Sequence, residues 1–375
     1  MKYPLYNPIA YALLSCTDSL LSLCFRKKYP PPPPPQRLLL CNGAHLGDLI
    51  LTTSLLPPLK KAFPSLKIGM VVGSWCRPLV DPHPLIDTIH IVDHWKLNRQ
   101  KKGRWGSYLS TRKRALQEIL REQYDTAVDC YPHFPNMAPL LFQAKIPVRI
   151  GFESAGFSPL LTHALPWKKG NHSITEDMFS LLELFSEIKP HKQLLYPILN
   201  KPPSIEKKEY LLLHMGTGEQ KKEWPIEKWR ALTKKLVEQG YSLIFTGQGE
   251  RENRAIQYVT EGLASTQNLC GVLSWDAFVL YIAQASLLIG MDSAAGHVAA
   301  ACGTPSLLLY SGIHPLKRWS PPSPLAHMIV HPTPCSPCGR GCAHMSCVRE
   351  IEVEEVYSQI QNLMSARPTT PLSSS

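Results

Sequence analysis

Short apolar runs alternate with longer segments of helical periodicity along most of the chain. Eight runs stand out, at residues 37–41, 67–72, 88–92, 125–129, 210–214, 241–246, 287–291 and 306–310. Runs of this length without polar alternation are typical of parallel strands that are buried on both faces. The pattern therefore predicts an α/β protein with two parallel sheets, one in each half of the chain.

The length and the composition agree with a two-domain organisation. The chain has 375 residues and is 44% hydrophobic, which is enough for two ordinary cores. The predicted segments are an apolar helix with a polyproline spacer (1–36), a first Rossmann-like domain (37–190), a linker (191–208), a second Rossmann-like domain (209–334), a Cys-rich segment with a C-terminal helix (335–365) and a disordered tail (366–375).

The first 36 residues have a character of their own. An apolar stretch from Ile9 to Phe25 is interrupted by Asp18 and is followed by three basic residues, 26–28, and six prolines, 30–35. The stretch is short for a membrane span and the aspartate is costly in hydrocarbon, while no signal-peptide cleavage site is apparent. Two interpretations remain: a helix packed on the first domain, or a helix lying on a membrane surface and kept apart by the proline spacer.

A possible anion site follows the apolar run 287–291. Asp292 and Ser293 come just after this predicted strand, and Ala294, Ala295 and Gly296 carry little side-chain bulk. Free amides at the start of the next helix can therefore approach a phosphate, aided by the helix dipole. The alternative is an ordinary tight turn in which Asp292 caps the helix and His297 only packs within it.

A similar strand, glycine-bearing loop and helix start occur near residue 40. Asp48 falls in the first turn of that helix, where a carboxylate commonly compensates the dipole. A carboxylate at this position is also suited to act as a general base, because it can accept a proton from a sugar hydroxyl.

The chain resembles glycosyltransferase family 9, the ADP-heptose:lipopolysaccharide heptosyltransferases, from about residue 37 to residue 357. The first two motifs are Gly47-Asp48-Leu49-Ile50-Leu51-Thr52-Thr53 and Lys222-Glu223-Trp224-Pro225 followed by Trp229. The others are Gly247-Gln248-Gly249-Glu250 and Asp292-Ser293 with His297 and Ala300-Ala301-Cys302-Gly303-Thr304-Pro305. The chain departs from the family at Ala294, where glycine is usual, and at the following Ala295-Gly296.

The resemblance implies a GT-B fold, with two Rossmann-like domains facing each other across a cleft, and inverting transfer of heptose or a related sugar from an ADP-sugar to the inner core of lipopolysaccharide. It implies catalytic roles for Asp48 as the base and for Lys222 at the leaving diphosphate. The donor-binding residues would be His214, Thr217, Glu250, Asp292, Ser293, Ala294, Gly296 and His297, with Glu252 as the rival of Glu250. No metal is required for this chemistry. Trp224 and Trp229 are expected to pack at a helix start.

The net charge of +11 calls for an anionic partner. Nine basic residues lie between Lys96 and Arg121, a segment in which Glu118 is the sole acid. They form either a solvated surface or, with Lys101, Lys102 and Arg104, a surface for the anionic acceptor and the cytoplasmic membrane leaflet. Nucleic acid is a weaker choice of partner, because few aromatic residues accompany the charges.

Four of the eleven cysteines form a cluster, Cys335-x2-Cys338-x3-Cys342-x4-Cys347, with His344 inside it. The other seven are scattered, as is typical of buried thiols in a reducing compartment. The cluster is expected to be structural, either as thiols or with a bound metal, and to be unnecessary for catalysis.

The sequence thus predicts a monomeric cytoplasmic glycosyltransferase, peripheral on the inner membrane. Two alternatives have a basis in the residues: a non-catalytic relative that binds a nucleotide-sugar or glycolipid, from the altered turn at Ala294, and a metal-bearing nucleic-acid binder, from the charge and the cysteine cluster.

Overall fold

The computed structural model describes residues 8–25, 29–81, 83–98, 105–167, 170, 172–189, 208–339, 342 and 344–365. The chain divides into two compact units, residues 1–200 and 201–375. The basic residues Lys101, Lys102 and Arg104, the predicted linker except its last residue, and the predicted tail lie outside the described residues.

The first unit contains a six-stranded parallel sheet with helices between its strands. Its elements in chain order are α1 (Pro8–Phe25), β1 (Arg37–Cys41), α2 (Leu46–Thr52), α3 (Leu56–Ala62), β2 (Lys67–Val72), α4 (Arg77–Val80), β3 (Thr88–Ile91), α5 (Trp105–Glu122), β4 (Thr126–Asp129), α6 (Ala138–Gln143), β5 (Val148–Phe152), β6 (His163–Leu165) and α7 (Ile174–Leu182). The strand order is β3-β2-β1-β4-β5-β6.

The second unit repeats this architecture. Its elements are β7 (Leu211–His214), α8 (Ile226–Glu238), β8 (Leu243–Thr246), α9 (Glu250–Thr260), β9 (Thr266–Asn268), α10 (Trp275–Gln284), β10 (Leu287–Met291), α11 (Ala294–Cys302), β11 (Ser306–Tyr310), α12 (Leu316–Trp319), β12 (Ala326–Val330), α13 (Ser346–Arg349) and α14 (Val353–Ser365). All its strands are parallel, in the order β12-β11-β10-β7-β8-β9.

Both sheets have the doubly wound order 3-2-1-4-5-6 when their strands are counted from the first in each unit. The direction of winding reverses between β1 and β4 in the first unit and between β7 and β10 in the second. Ligands of open parallel sheets bind outside the carboxyl ends of the strands at such a reversal. The loops after β1, β4, β7 and β10 are therefore the places to look for function.

The predicted α/β class is confirmed, and all eight apolar runs form strands. Four strands were not predicted, namely β5, β6, β9 and β12. Three of them, β6, β9 and β12, are edge strands and are only partly buried, so their sequences lack a continuous apolar run. The central strand β1 is the contrast, because Leu38, Leu39 and Leu40 are fully buried.

The N-terminal helix α1 packs on the first unit. Leu14 and Asp18 are buried, and the hydroxyl of Ser158 donates a hydrogen bond of 3.3 Å to the Asp18 carboxylate. Pro32 and Pro35 are also buried, at the three-residue spacing of a polyproline helix. Of the two interpretations, the structure favours the one in which the helix packs on the first domain. None of the described helices is both long enough and apolar enough to cross a bilayer.

Replacing Gly69 in β2 by alanine is predicted to destabilise the protein. A Cβ atom there would lie 2.0 Å from the hydroxyl of Tyr124, which is itself 2.9 Å from Nε2 of the buried His90. Such overpacking costs about 1–3 kcal/mol of unfolding free energy. Gly106→Ala is the matched control, because a Cβ at that helical position has no neighbour within 4 Å. Urea titration should separate the two variants, and an equal stability would show that Tyr124 yields without cost.

Candidate functional site

The turn between β10 and α11 leaves polar groups without partners. The hydroxyl of Ser293 and Nδ1 of His297 are buried and find no hydrogen-bond partner among the described residues. Buried polar atoms are satisfied in the great majority of cases, so these two, which lie four residues apart, make the turn a candidate binding site. They accompany the first amides of α11, which favour an anion. Burial lowers the pKa of His297 to about 4, so its imidazole is neutral at pH 7 and acts through hydrogen bonds.

Two glycines fix the shape of this turn. A Cβ on Gly296 would lie 2.6 Å from a methyl group of Leu308 in β11, so α11 packs closely on the sheet. A Cβ on Gly290 would lie 3.0 Å from the carbonyl oxygen of His214 on the neighbouring strand. Both positions therefore require a small residue for packing, and Ala294, the first residue of α11, lies between them in the chain.

Lys222 and Asp292 belong to one electrostatic cluster. Burial raises the pKa of Asp292, and the positive charge of Lys222 lowers it. Lys222 ends a short 3₁₀ turn, Gln220–Lys222, and its side chain is only 15% exposed. Its Nζ lies 4.0 Å from Oε1 of Glu219. Lys222 and Asp292, which were predicted as site residues from two separate motifs, therefore interact electrostatically in the structure.

The loop after β11 adds two residues that the sequence analysis missed. Burial, together with the nearby charges of Lys222 and Arg318, lowers the pKa of His314 to about 4. Arg318 lies in α12 and is 5% exposed. The sequence offered one signal for Arg318, namely its place shortly after the apolar run 306–310, which forms β11 next to β10. Together with Lys222, Arg318 gives the second unit a concentration of positive charge next to the turn at Ser293.

His214 and Thr217 flank a glycine turn after β7. Nδ1 of His214 is 3.1 Å from the hydroxyl of Thr246 at the end of β8, and burial lowers the pKa of His214 to about 4. The Thr217 hydroxyl donates to the carbonyl oxygen of Glu219 at 2.7 Å and accepts from the Glu219 amide at 3.2 Å. Thr217 therefore shapes the turn, and its side chain is engaged within the loop.

Glu252 is the carboxylate that faces the glycine turns. Cβ atoms on Gly216 and Gly247 would lie 2.4 Å and 2.7 Å from its carboxylate oxygens, and it accepts a hydrogen bond of 2.9 Å from the amide of Gln248. Burial raises its pKa. Glu250 instead has a 69% exposed side chain and pairs with Arg254 at 2.8 Å. The geometry therefore favours Glu252 over Glu250 for contacts with a ligand at the ends of β7 and β8.

Trp224 and Trp229 pack at the start of α8. Their rings meet edge to face with centroids 5.1 Å apart, and both side chains are buried. The indole of Trp224 donates to the carbonyl oxygen of Ile351 at 2.9 Å. The packing interpretation of this motif fits these contacts, and a role as a ligand platform does not.

Asp48 lies in the first turn of α2 in the first unit. Its carboxylate accepts a hydrogen bond of 3.1 Å from the amide of His45, and the two residues form a capping box. The buried Asn42 braces the loop, because it donates to the Thr52 hydroxyl at 2.7 Å and accepts from the Ala44 amide at 3.1 Å. The loop therefore holds an acidic group in a fixed position at the carboxyl end of β1.

Asp129 at the end of β4 is a second acidic group at this edge, and the sequence analysis missed it. Burial raises its pKa to about 7, although the amides of Met137 and Tyr131 donate to it at 2.6 Å and 3.4 Å. Tyr131 and His133 follow in the loop after β4, with ring centroids 5.4 Å apart, and Trp167 after β6 brings its ring to 5.0 Å from that of His133. The carboxyl edge of the first sheet therefore has a buried acidic group at the end of β4 and aromatic rings in the loop that follows.

The cysteine cluster shows no metal geometry. No group of three or more His, Cys, Asp or Glu side chains in the described parts of the chain is arranged to hold a metal ion. Cys335 and Cys342 are exposed, Cys338 is partly buried, and Cys347 packs with Ile313 and Met345. All four are free thiols.

A family model and curated relatives match most of the chain. The model for "Glycosyltransferase family 9 (heptosyltransferase)" matches residues 112–348. Lipooligosaccharide heptosyltransferase 2 of Haemophilus influenzae is 26% identical over 308 residues, which is 76% of this chain and 85% of that protein.

Solved structures agree in fold. The structure of E. coli ADP-heptose LPS heptosyltransferase II has a TM-score of 0.71 at 21% identity and covers 88% of this chain and 98% of its own. E. coli heptosyltransferase WaaC with ADP-2-deoxy-2-fluoro heptose has a TM-score of 0.69 at 18% identity and covers 87% of this chain and 99% of its own. With the family model covering well over half of its length, the chain belongs to glycosyltransferase family 9, the heptosyltransferases, and is a glycosyltransferase.

Proposed function

We propose that the protein transfers a heptose, or a closely related sugar, from an ADP-sugar to the inner core of lipopolysaccharide. The observation that carries the donor half is the turn at Ser293, with two unpartnered buried polar atoms and the charge of Lys222 close to Asp292. A nucleoside diphosphate provides the anionic oxygens that such a turn lacks. The names of the relatives, heptosyltransferases of lipopolysaccharide and lipooligosaccharide, supply the sugar and the acceptor.

The reaction would proceed with inversion. The acceptor hydroxyl oxygen forms a bond to the anomeric carbon of the donor while the bond from that carbon to the diphosphate oxygen breaks, and its electron pair leaves with ADP. Asp48 takes the proton of the hydroxyl. Lys222 and the first amides of α11 stabilise the negative charge that develops on the diphosphate, which is where catalysis gains most from preorganised groups.

The remaining donor contacts follow from the loops of the second unit. Asp292 and the neutral His297 would bind hydroxyls or phosphate oxygens next to the turn, with Ser293, Ala294 and Gly296 providing close backbone approach. Glu252, or Glu250 from its exposed position, would bind the ribose hydroxyls. His214 and Thr217 would shape the wall of the pocket. These cations and amides supply the charge stabilisation, so we propose that transfer needs no metal.

The acceptor is a glycolipid, so we propose that a monomer works at the cytoplasmic face of the inner membrane, bound peripherally to the anionic leaflet. Lys101, Lys102 and Arg104 would contact phosphates and carboxylates of the acceptor. The thiols Cys335, Cys338, Cys342 and Cys347 would serve the fold of the second unit, as free thiols or around a structural metal, and would take no part in transfer.

A product-release screen tests this function. The purified protein is mixed with ADP- and UDP-sugars, with and without a deacylated inner-core acceptor, and nucleoside diphosphate release is followed together with the mass of the acceptor. We expect release of ADP only with ADP-heptose and acceptor present together, and a gain of one sugar on the acceptor. Binding of the donor without turnover on any acceptor would favour the non-catalytic alternative.

Asp48→Asn is predicted to lower kcat by about 100-fold or more, because the positioned base is lost. The affinity for ADP-sugar should stay the same, since Asp48 acts on the acceptor. Asp81→Asn serves as the control, because that aspartate is exposed and pairs with Arg77. Single-turnover kinetics measures the effect, and a rate within about threefold of the parent would remove Asp48 from the mechanism.

Lys222→Ala is predicted to weaken ADP binding by roughly tenfold or more, because a hydrogen bond between charged groups is lost. Turnover should fall as well, since the charge on the diphosphate grows in the transition state. Lys221→Ala is the matched control, as that lysine is the adjacent residue and its side chain is 46% exposed. Titration calorimetry decides: an unchanged affinity for ADP in the Lys222 variant would show that the lysine serves another purpose.

A further inference from the structure

Helix α1 turns its apolar side outward. Ile9, Leu13, Leu20 and Leu23 are exposed by 70%, 64%, 67% and 84%. Their spacings of four, seven and three residues place them on one side of the helix, and the exposed Cys16 fills the gap in the same stripe. Among the described elements no other exposes as many large apolar side chains.

The inward side of α1 contains its one acidic residue. Asp18 is 2% exposed and accepts a hydrogen bond from Ser158, so the outward side bears no negative charge. An ordinary surface helix has the opposite arrangement, with charges in water and leucines in the core. The outward face of α1 is therefore suited to an apolar environment and not to water.

Packing contacts hold the helix in this orientation. The methyl groups of Leu14 lie against Gly156, where an added Cβ would come within 2.6 Å of them. At the other end, the ring of Phe25 meets that of Phe142 edge to face, with centroids 5.2 Å apart. A rotation that hid the leucines would break these contacts and expose Leu14. The apolar stripe is therefore a fixed outer surface of the first unit.

We propose that this stripe, Ile9, Leu13, Cys16, Leu20 and Leu23, docks the protein on an anionic lipid bilayer, with α1 parallel to the surface. Three basic residues, 26–28, follow the helix directly in the sequence and complement anionic head groups. The exposed Lys145 follows α6, which contacts Phe25. The choice of a bilayer over a protein partner rests also on the proposed function, because the acceptor is lipid-linked.

Vesicle flotation tests the proposal on the full chain. Vesicles of phosphatidylethanolamine with phosphatidylglycerol are compared with vesicles of phosphatidylcholine alone. The wild type should float with the anionic vesicles, and binding should weaken as salt rises. Leu13→Gln with Leu20→Gln should lower the partition coefficient by about tenfold or more, because two apolar side chains no longer enter the bilayer.

The matched control replaces two exposed apolar side chains elsewhere in the protein. Val272 and Leu325 are 71% and 41% exposed in the second unit, so Val272→Gln with Leu325→Gln should change the partition coefficient by less than about twofold. Thermal unfolding establishes that both double variants keep the stability of the parent. Equal losses of binding in the two variants would overturn the assignment to α1.

Thiol protection gives a second measurement that needs no variant. Cys16 and Cys24 are exposed on α1, and Cys335 and Cys342 are exposed in the second unit. Peptide mass spectrometry after brief maleimide treatment reports each thiol separately. Anionic vesicles should slow the labelling of Cys16 and Cys24 and leave that of Cys335 and Cys342 unchanged. Labelling of Cys16 and Cys24 at the same rate with and without vesicles would contradict the proposal.

A second copy of the chain is the competing occupant of the stripe. Sedimentation equilibrium should show a monomer. The lipid assignment would be overturned by a protein that binds no vesicles and forms a dimer that the double variant Leu13→Gln with Leu20→Gln dissociates.

Turnover of a soluble deacylated acceptor separates the docking proposal from the proposed function. If the variant and the parent turn it over equally but neither binds vesicles, the docking surface is wrong and the transferase activity stands. If the parent binds vesicles but transfers sugar to no acceptor, the docking surface stands and the transferase proposal is wrong.

Discussion

The parallel pairing of β7 with β10 is the interaction on which the donor site depends. Gly290 faces His214 in the register, and the absence of a side chain at Gly290 lets the two backbones approach. Because parallel strands end at the same edge, the turn after His214 and the turn after Met291 are neighbours. The first unit has the same arrangement, with β1 beside β4, Asp129 as the last residue of β4 and Asp48 in the first turn of the helix that follows β1.

Electrostatics at this edge of the second unit depend on burial. Ser293 and His297 hold buried polar atoms that have no hydrogen-bond partner among the described residues, while Lys222 and Arg318 contribute positive charge that solvent screens poorly. Asp292 remains among these cations with a pKa raised by its own burial. A diphosphate brings negative charge and hydrogen-bond acceptors. Its binding would offset the positive charge and give the buried polar atoms hydrogen-bond partners. This is the physical reason for a nucleotide-sugar at this turn.

The sequence predicted the sheets well because buried parallel strands leave continuous apolar runs, as at Leu38, Leu39 and Leu40. It missed β9 and β12, whose residues are half exposed, and it missed Asp129, His314 and Arg318, because their proximity to the site comes from strand order. It also left open how α1 packs. The face with Asp18 and the face with Leu20 could each be assigned to the protein or to a membrane surface from the sequence alone. The burial of Asp18 required the tertiary structure.

A crystal structure of the protein with ADP tests the central claim most directly. The account predicts that the β-phosphate lies against the first amides of α11, within hydrogen-bonding distance of the Ser293 hydroxyl and of the Lys222 ammonium group. The ribose would lie next to Glu252 or Glu250. ADP bound away from the carboxyl ends of β7 and β10, or at this edge with its phosphates directed away from Ser293, would contradict it.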